Sequence, residues 1–291
     1  MPAAFPSALY AVQLRNELAV RNRAYAARMN LGACETYGEQ PVICYMPTAD
    51  GRSHGNFLPQ TYRAILANQN WRMRLNKVHT QARTSLPKTE HRWKELDSSN
   101  SSDALLMNVF CCPEVRNNYT LFSLLGVERD VQPEFGVRAR VPLVNGRADR
   151  TEVDMRLGEL LVEAKLTESD FQRGRTAAVE SYRDFNDVFE RRLLPRDGEY
   201  FLSYQLIRNV LAAYAHECSF CVISDARRPD LREAWYAIMR AVRPVELRVR
   251  CKMITWQELS AVLTDRLRSY LAEKYGIGEV GSERALASAA D

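Results

Sequence analysis

The chain has 291 residues, a formal net charge of +4, 46% apolar residues and 26% charged residues. These are ordinary globular values, and they exclude a disordered chain, a collagen-like fibre and a small disulfide scaffold. No apolar run approaches the roughly 20 residues of a membrane span, and no basic segment precedes an apolar stretch at the N-terminus, so neither a membrane protein nor a signal peptide is expected. The seven cysteines are odd in number and scattered, which suggests reduced thiols and a cytoplasmic setting. Cys218 and Cys221 form one CxxC without a second pair, and their segment reads as a buried strand rather than a zinc site.

In chain order, the pattern predicts a helix over 8–29, a loop-rich stretch over 30–60 with a short strand at Pro41–Met46, and partly helical structure over 59–84. Residues 61–95 hold eight basic residues against Glu90 and Glu95, interleaved with Tyr62, Trp71 and Trp93. Arg72, Arg74 and Lys77 in this stretch are candidates for nucleic-acid contacts, since phosphate contacts dominate such affinity and aromatics stack on unpaired bases. The polar run 96–102 marks a boundary or a helix N-cap. Helices follow at Asp103–Phe110 and Leu121–Gly126. After them come a strand at Phe135–Val141, strands at Glu152–Leu157 and Leu160–Leu166, and helices over 170–193 and 200–216. A strand at Ser219–Ser224, a helix over 230–241 and a strand over 246–254 complete the core. The capping box at Thr255 and Glu258 opens a last helix reaching Tyr275. The expected organisation is a basic helix-rich region over 1–95, an α/β core over 96–277 made of a small mixed sheet flanked by helices, and a flexible tail over 278–291. The four histidines show no metal spacing and read as incidental.

Residues 151–168 carry the chemistry. Strand alternation puts Val153, Met155 and Leu157 on one face and Glu152, Asp154 and Arg156 on the other. On the next strand Leu160, Val162, Ala164 and Leu166 share the apolar face, and Glu163 and Lys165 fall opposite. A two-residue turn at Gly158–Glu159 pairs Leu157 with Leu160 and Met155 with Val162, and so sets Asp154 against Glu163 and Glu152 against Lys165. Opposed carboxylates, with Cβ atoms roughly 4.5–5.5 Å apart, repel unless a cation lies between them. Mg²⁺, held by one or two carboxylates and substrate phosphate, fits this demand. Lys165 is then placed to polarise a water or stabilise phosphate charge. The competing reading is a surface ladder of ion pairs, Lys165 with Glu152 and Asp154 with Arg156.

Asp154 followed by Glu163-Ala164-Lys165 resembles the PD-(D/E)XK nuclease signature, with Val153 where the signature has Pro. The segments SerSerAspAlaLeuLeuMetAsnValPhe (101–110), GluAlaLysLeuThrGlu (163–168) and TyrGlnLeuIleArgAsnValLeuAlaAla (204–213) resemble a family of restriction-endonuclease-like bacterial proteins, over roughly residues 93–275. The resemblance implies a restriction-endonuclease-like fold and a nuclease. It assigns Mg²⁺ (or Mn²⁺ as a substitute) to Asp154 and Glu163, and assistance of the attacking water to Lys165. DNA is the expected substrate, RNA is not excluded, and a homodimer would permit paired cuts. A further acid from the first core helix is expected, with Asp103 or Glu114 as candidates. Gln205 resembles the Gln of the Gln-x-x-x-Tyr motif of RecB-like exonucleases, although Asn209 stands at the Tyr position; Gln205 is expected at the catalytic site, and Arg208 on a phosphate. The other class of function is a non-catalytic nucleic-acid-binding or assembly module on the same core.

Overall fold

A computed structural model describes residues 7–36, 41–78 and 93–278. Its centre is a five-stranded mixed sheet of β1 (Glu134–Arg138), β2 (Glu152–Leu157), β3 (Leu160–Ala164), β4 (Ser219–Ser224) and β5 (Cys251–Thr255). The spatial order is β5-β4-β3-β2-β1. β1, β2 and β3 pair antiparallel, while β4 is parallel to β3 and β5. This mixed α/β architecture with flanking helices is the one the sequence predicts.

The β2–β3 hairpin has the expected register, with Leu157 against Leu160, Arg156 against Leu161 and Met155 against Val162. Gly158 adopts a φ of +59° in the turn, a conformation glycine enters without steric cost. β3 lies between two strands and is buried along its whole length, so its Glu163 has no solvent to face.

Helices α1 (Ser7–Arg28), α2 (Pro59–Ala67), α3 (Gln69–Arg74) and α4 (Ser102–Phe110) precede the sheet, with α5 (Tyr119–Leu125) between α4 and β1. Leu14 and Leu18 of α1, Leu105 and Val109 of α4, and Met155 and Val162 of the hairpin share one hydrophobic core. That core draws on residues from both sides of position 95. The sheet's other face packs on α6 (Tyr204–Ala215) and α7 (Pro229–Met239) through Leu161, Val210, Leu211, Val222 and Leu231. Cys111, Cys112, Cys218, Cys221 and Cys251 are free thiols. No described helix is long and apolar enough to cross a membrane.

Four predicted elements differ. The helix expected over 170–193 is a strand at Arg173–Arg175, two four-residue helices and a 3-10 turn. Its apolar residues recur at helical spacing, but their backbone is committed elsewhere: Arg183 N–H donates to Pro142 O, Val144 N–H to Ser181 O, and Phe189 bridges Val242. The strand expected over 246–254 begins only at Cys251, after a helix at Val245–Arg250. The alternation Val-Glu-Leu-Arg-Val-Arg mimics a strand, yet only Leu247 of that helix is buried. The last helix breaks into α8 (Trp256–Ala261) and α9 (Asp265–Tyr275), where Asn118 Nδ2 donates to Val262 O at 2.6 Å. The predicted helix start at 200 also moves, because Tyr200–Leu202 pairs with Arg173–Arg175. Arg83, Lys88 and Arg92, and nearly all of the tail, lie outside the described residues.

Gly136 is the one glycine that shapes the site. It sits in β1 beside Asp154 with φ +64°, and a Cβ there would lie 2.2 Å from Arg74 Nη1 and 3.1 Å from Glu152 Oε2. Gly136→Ala is expected to destabilise the fold by about 1–2 kcal/mol from the backbone alone, and to push Arg74 off its partners. Urea denaturation checks this.

Candidate functional site

The first strand of the hairpin delivers Glu152 and Asp154 to a cleft of about 1050 Å³, lined also by Arg74, Lys77, Gln205 and Arg208. β2 stops pairing with β3 at Met155, one position short of Asp154. There the Asp154 side chain takes over the ladder: its Oδ2 accepts the Ala164 N–H at 2.8 Å. This bond fixes Asp154 beside the strand that carries Glu163 and Lys165.

Glu163 and Lys165 are 1% and 4% exposed. Lys165 Nζ donates to Glu163 Oε1 at 2.8 Å. The Lys165 backbone is held on both sides, its N–H donating to Ile223 O and its carbonyl accepting from Trp256 Nε1. Burial alone would lower the lysine's pKa; Glu163, Glu168 and Asp154 outweigh it and raise the pKa above the usual value. Lys165 is therefore a fixed positive charge. The ion-pair ladder of the competing reading does not form: Glu152 pairs with Arg74, Lys165 with Glu163, and Arg156 with Glu159.

Asp154 shows the opposite balance. Burial first, and then the negative charges of Glu163 and Asp103, hold its carboxyl well above the usual range, against the pull of Lys165 and Lys77. Glu163 and Asp103 thus act electrostatically on Asp154, the one of the three that lines the cleft. Asp103, on α4 and 3% exposed, accepts from Arg74 Nη2 at 2.8 Å and from Lys77 Nζ at 2.6 Å. Arg74 also reaches Glu152 at 2.9 Å, and Lys77 reaches Glu95 at 2.8 Å. Both cations are raised in pKa, burial being outweighed by the acids, Asp103 foremost. Arg74 and Lys77 line the cleft with their charge already engaged. Arg72 is exposed on the same helix.

Glu114 is not brought to the cleft. It accepts from Gln60 Nε2 at 2.7 Å and Thr264 Oγ1 at 2.5 Å, tying α2 to the segment before α9. Of the two acids offered by the first core helix region, the fold brings Asp103 to Asp154.

On α6, Gln205 lines the cleft and its Oε1 is buried without a hydrogen-bond partner. It makes no bond to Lys165; an unfilled acceptor here suits a cation or a donor on a ligand. Arg208 is buried, and its guanidinium donates to Asn209 Oδ1 at 3.1 Å and to Glu152 O at 3.1 Å. Asn209 Nδ2 in turn donates to Glu163 Oε2 at 2.9 Å. Asn209 is the residue that sequence reasoning passed over. It sits one turn after Gln205 on the same helix face, which was the available signal. Asn209→Ala leaves a buried carboxylate oxygen and a buried guanidinium short of partners. The expected cost is about 1–3 kcal/mol, read from urea denaturation.

The donors that a divalent cation would meet are hard oxygens: the Asp154 oxygen not bonded to Ala164, Glu163, and the open amide oxygen of Gln205. Among the described residues no three His, Cys, Asp or Glu side chains are grouped as a ligand set. Mg²⁺ needs no such set, because it keeps several waters and is usually held by one or two carboxylates with substrate phosphate. The residues present fit such an ion, which would offset the burial and the carboxylate repulsion that together raise the Asp154 pKa.

Residues 24–276 match the model of a family described as Restriction Endonuclease associating with ARP. No curated protein and no solved structure matches the chain.

Proposed function

The chain belongs to that restriction-endonuclease family, and from this premise we propose that it is a Mg²⁺-dependent nuclease of the PD-(D/E)XK type that hydrolyses DNA. The observation that carries the reading is the grouping of Asp154, Glu163 and Lys165 on one hairpin, with Asp154 lining a cleft that Arg74, Lys77 and Arg208 also line. Asp154 and Glu163 would hold the ion. When bound, the ion would activate a water and neutralise phosphate charge, and Mn²⁺ would serve in its place.

The chain's own groups do the rest. Lys165 stays protonated and acts as a donor and a fixed charge rather than as a base. Its ammonium orients the attacking water or the phosphoryl oxygen it faces. Glu163, bonded to Lys165 and Asn209, keeps that charge in place. Arg74 and Lys77 present cations to the polyanion where Asp103 and Glu152 anchor them, and Arg72 adds an exposed one. RNA shares the phosphodiester and belongs to the same reading, as does a homodimer cutting two strands. The association with ARP that the family description carries is part of the proposal too.

The test is incubation of purified chain with linear and circular duplex DNA in Mg²⁺ or Mn²⁺. Cleavage that disappears in Asp154→Asn supports the reading. No cleavage of any DNA, beside an active control nuclease, contradicts it.

One observation favours a second reading, a non-catalytic nucleic-acid-binding module. The oxygens of Glu163 and Asp103 already face cations or amides, so a metal must share them. Calorimetric titration with Mn²⁺ separates the two: binding lost in Asp154→Asn supports the enzyme, and no binding with DNA affinity intact supports the module.

A further inference from the structure

A second cavity of about 410 Å³ adjoins the cleft, within the ~300–1,000 Å³ of small-ligand sites. Asn76 lines both. On and just after α3, Arg74 and Lys77 turn to the cleft, while Arg72 and Leu75 turn to the second cavity. This division follows the helical spacing of the two pairs.

The walls of this cavity are rings and apolar side chains, among them Tyr62, Trp93, Leu75 and Leu96. The His54 ring lies 5.7 Å from that of Tyr62. His54 is held at both ring nitrogens: Nδ1 accepts the Asn56 N–H at 3.1 Å, and Nε2 lies 3.1 Å from Asp97 Oδ1. This gives His54 a fixed place in the wall, where the sequence offered no role at all. Two cations stand at the cavity. Lys94 Nζ donates to Asn76 Oδ1 at 2.7 Å. The exposed Arg72 guanidinium makes no hydrogen bond or ion pair among the described residues.

A cavity lined by rings and by an exposed guanidinium is suited to a planar base carrying a phosphate: rings stack on the base and arginine takes the anion. We propose that this cavity receives one unpaired nucleobase of the strand whose phosphates enter the catalytic cleft. The inference rests on the nuclease reading for its strand, but its geometry is independent of the metal site. The cavity adjoins the cleft through Asn76, so one strand can occupy both at once. A substrate with an unstacked or single-stranded base beside the cut is then preferred over uninterrupted duplex.

The probes are dAMP and deoxyribose 5-phosphate, titrated into the full chain without metal. dAMP is expected to bind about tenfold tighter than the base-less sugar phosphate and to quench tryptophan emission. Trp93→Phe should keep the calorimetric binding and lose most of the quenching. Arg72→Ala, on an exposed side chain without hydrogen-bond or ion-pair partners among the described residues, should weaken dAMP about tenfold. Asp154→Asn should leave dAMP binding unchanged. Equal affinity for the two probes, no binding of either, or quenching that persists in Trp93→Phe overturns the proposal. DNA cleavage by wild type without dAMP binding overturns this inference alone, whereas dAMP binding at Trp93 in a chain that cleaves no DNA overturns the catalytic reading and leaves the pocket standing.

Discussion

Lys165→Met is expected to abolish metal-dependent cleavage and, at the same time, to destabilise the chain by about 3–5 kcal/mol, because it strands a buried carboxylate. Glu163 is 1% exposed and loses its 2.8 Å ion-pair partner, while Asn209 alone remains on its other oxygen. The double variant Glu163→Gln with Lys165→Met should recover most of that stability. It removes both charges together, and the Gln oxygen still accepts from Asn209. Buried pairs replaced as a unit are often neutral or stabilising. It should not recover any cleavage. Urea unfolding of the two single variants and the double variant gives the coupling directly. If the single Lys165→Met unfolds like wild type, Lys165 and Glu163 are not the closed pair described above.

Asp154→Asn is expected to abolish cleavage while making the metal-free protein more stable. Burial and the charges of Glu163 and Asp103 hold the Asp154 carboxyl well above its ordinary value of 3.8. The sign follows from proton linkage. Between the unfolded value and the raised folded value, the folded chain binds a proton that the unfolded chain has released, so stability falls as pH rises through that window. Asn carries no charge to bury and can still accept the Ala164 N–H. The stability gap between variant and wild type should therefore open as pH rises from about 4 toward 8 in chelator, as thermal melts would show. Mn²⁺ should narrow it by stabilising only the wild type, since a ligand that binds the folded state alone raises its stability. A gap that is flat with pH would mean that Asp154 is ionised without cost and that burial and the charges of Glu163 and Asp103 do not act on it.

Local pattern made the hairpin legible. Period-two alternation and the Gly158–Glu159 turn sufficed to set Met155 against Val162, and with them Asp154 beside the Glu163 strand. The order of elements around it, with β4 and α4 among them, was equally readable. What stayed hidden is carried by pairs far apart in sequence. Arg74 and Lys77 lie 29 and 26 residues from Asp103, and Asn209 lies 46 from Glu163. No periodicity encodes such contacts. The basic stretch around α3 read as a solvent-facing phosphate binder, whereas Arg74 and Lys77 reach inward to Asp103. The stretch 170–193 read as a helix because Val179, Tyr182, Phe185 and Phe189 recur at helical spacing, and period alone cannot report that Pro142 and Val144 would claim the backbone bonds. His54 drew no attention because its partner, Asp97, is 43 residues away.

The most direct test of the central claim is the anomalous scattering of crystals grown with Mn²⁺. A peak between the carboxylates of Asp154 and Glu163, absent in Asp154→Asn, is the result predicted. Fully occupied Mn²⁺ elsewhere on the chain with none between these two side chains, or no bound Mn²⁺ at millimolar concentration, would contradict it.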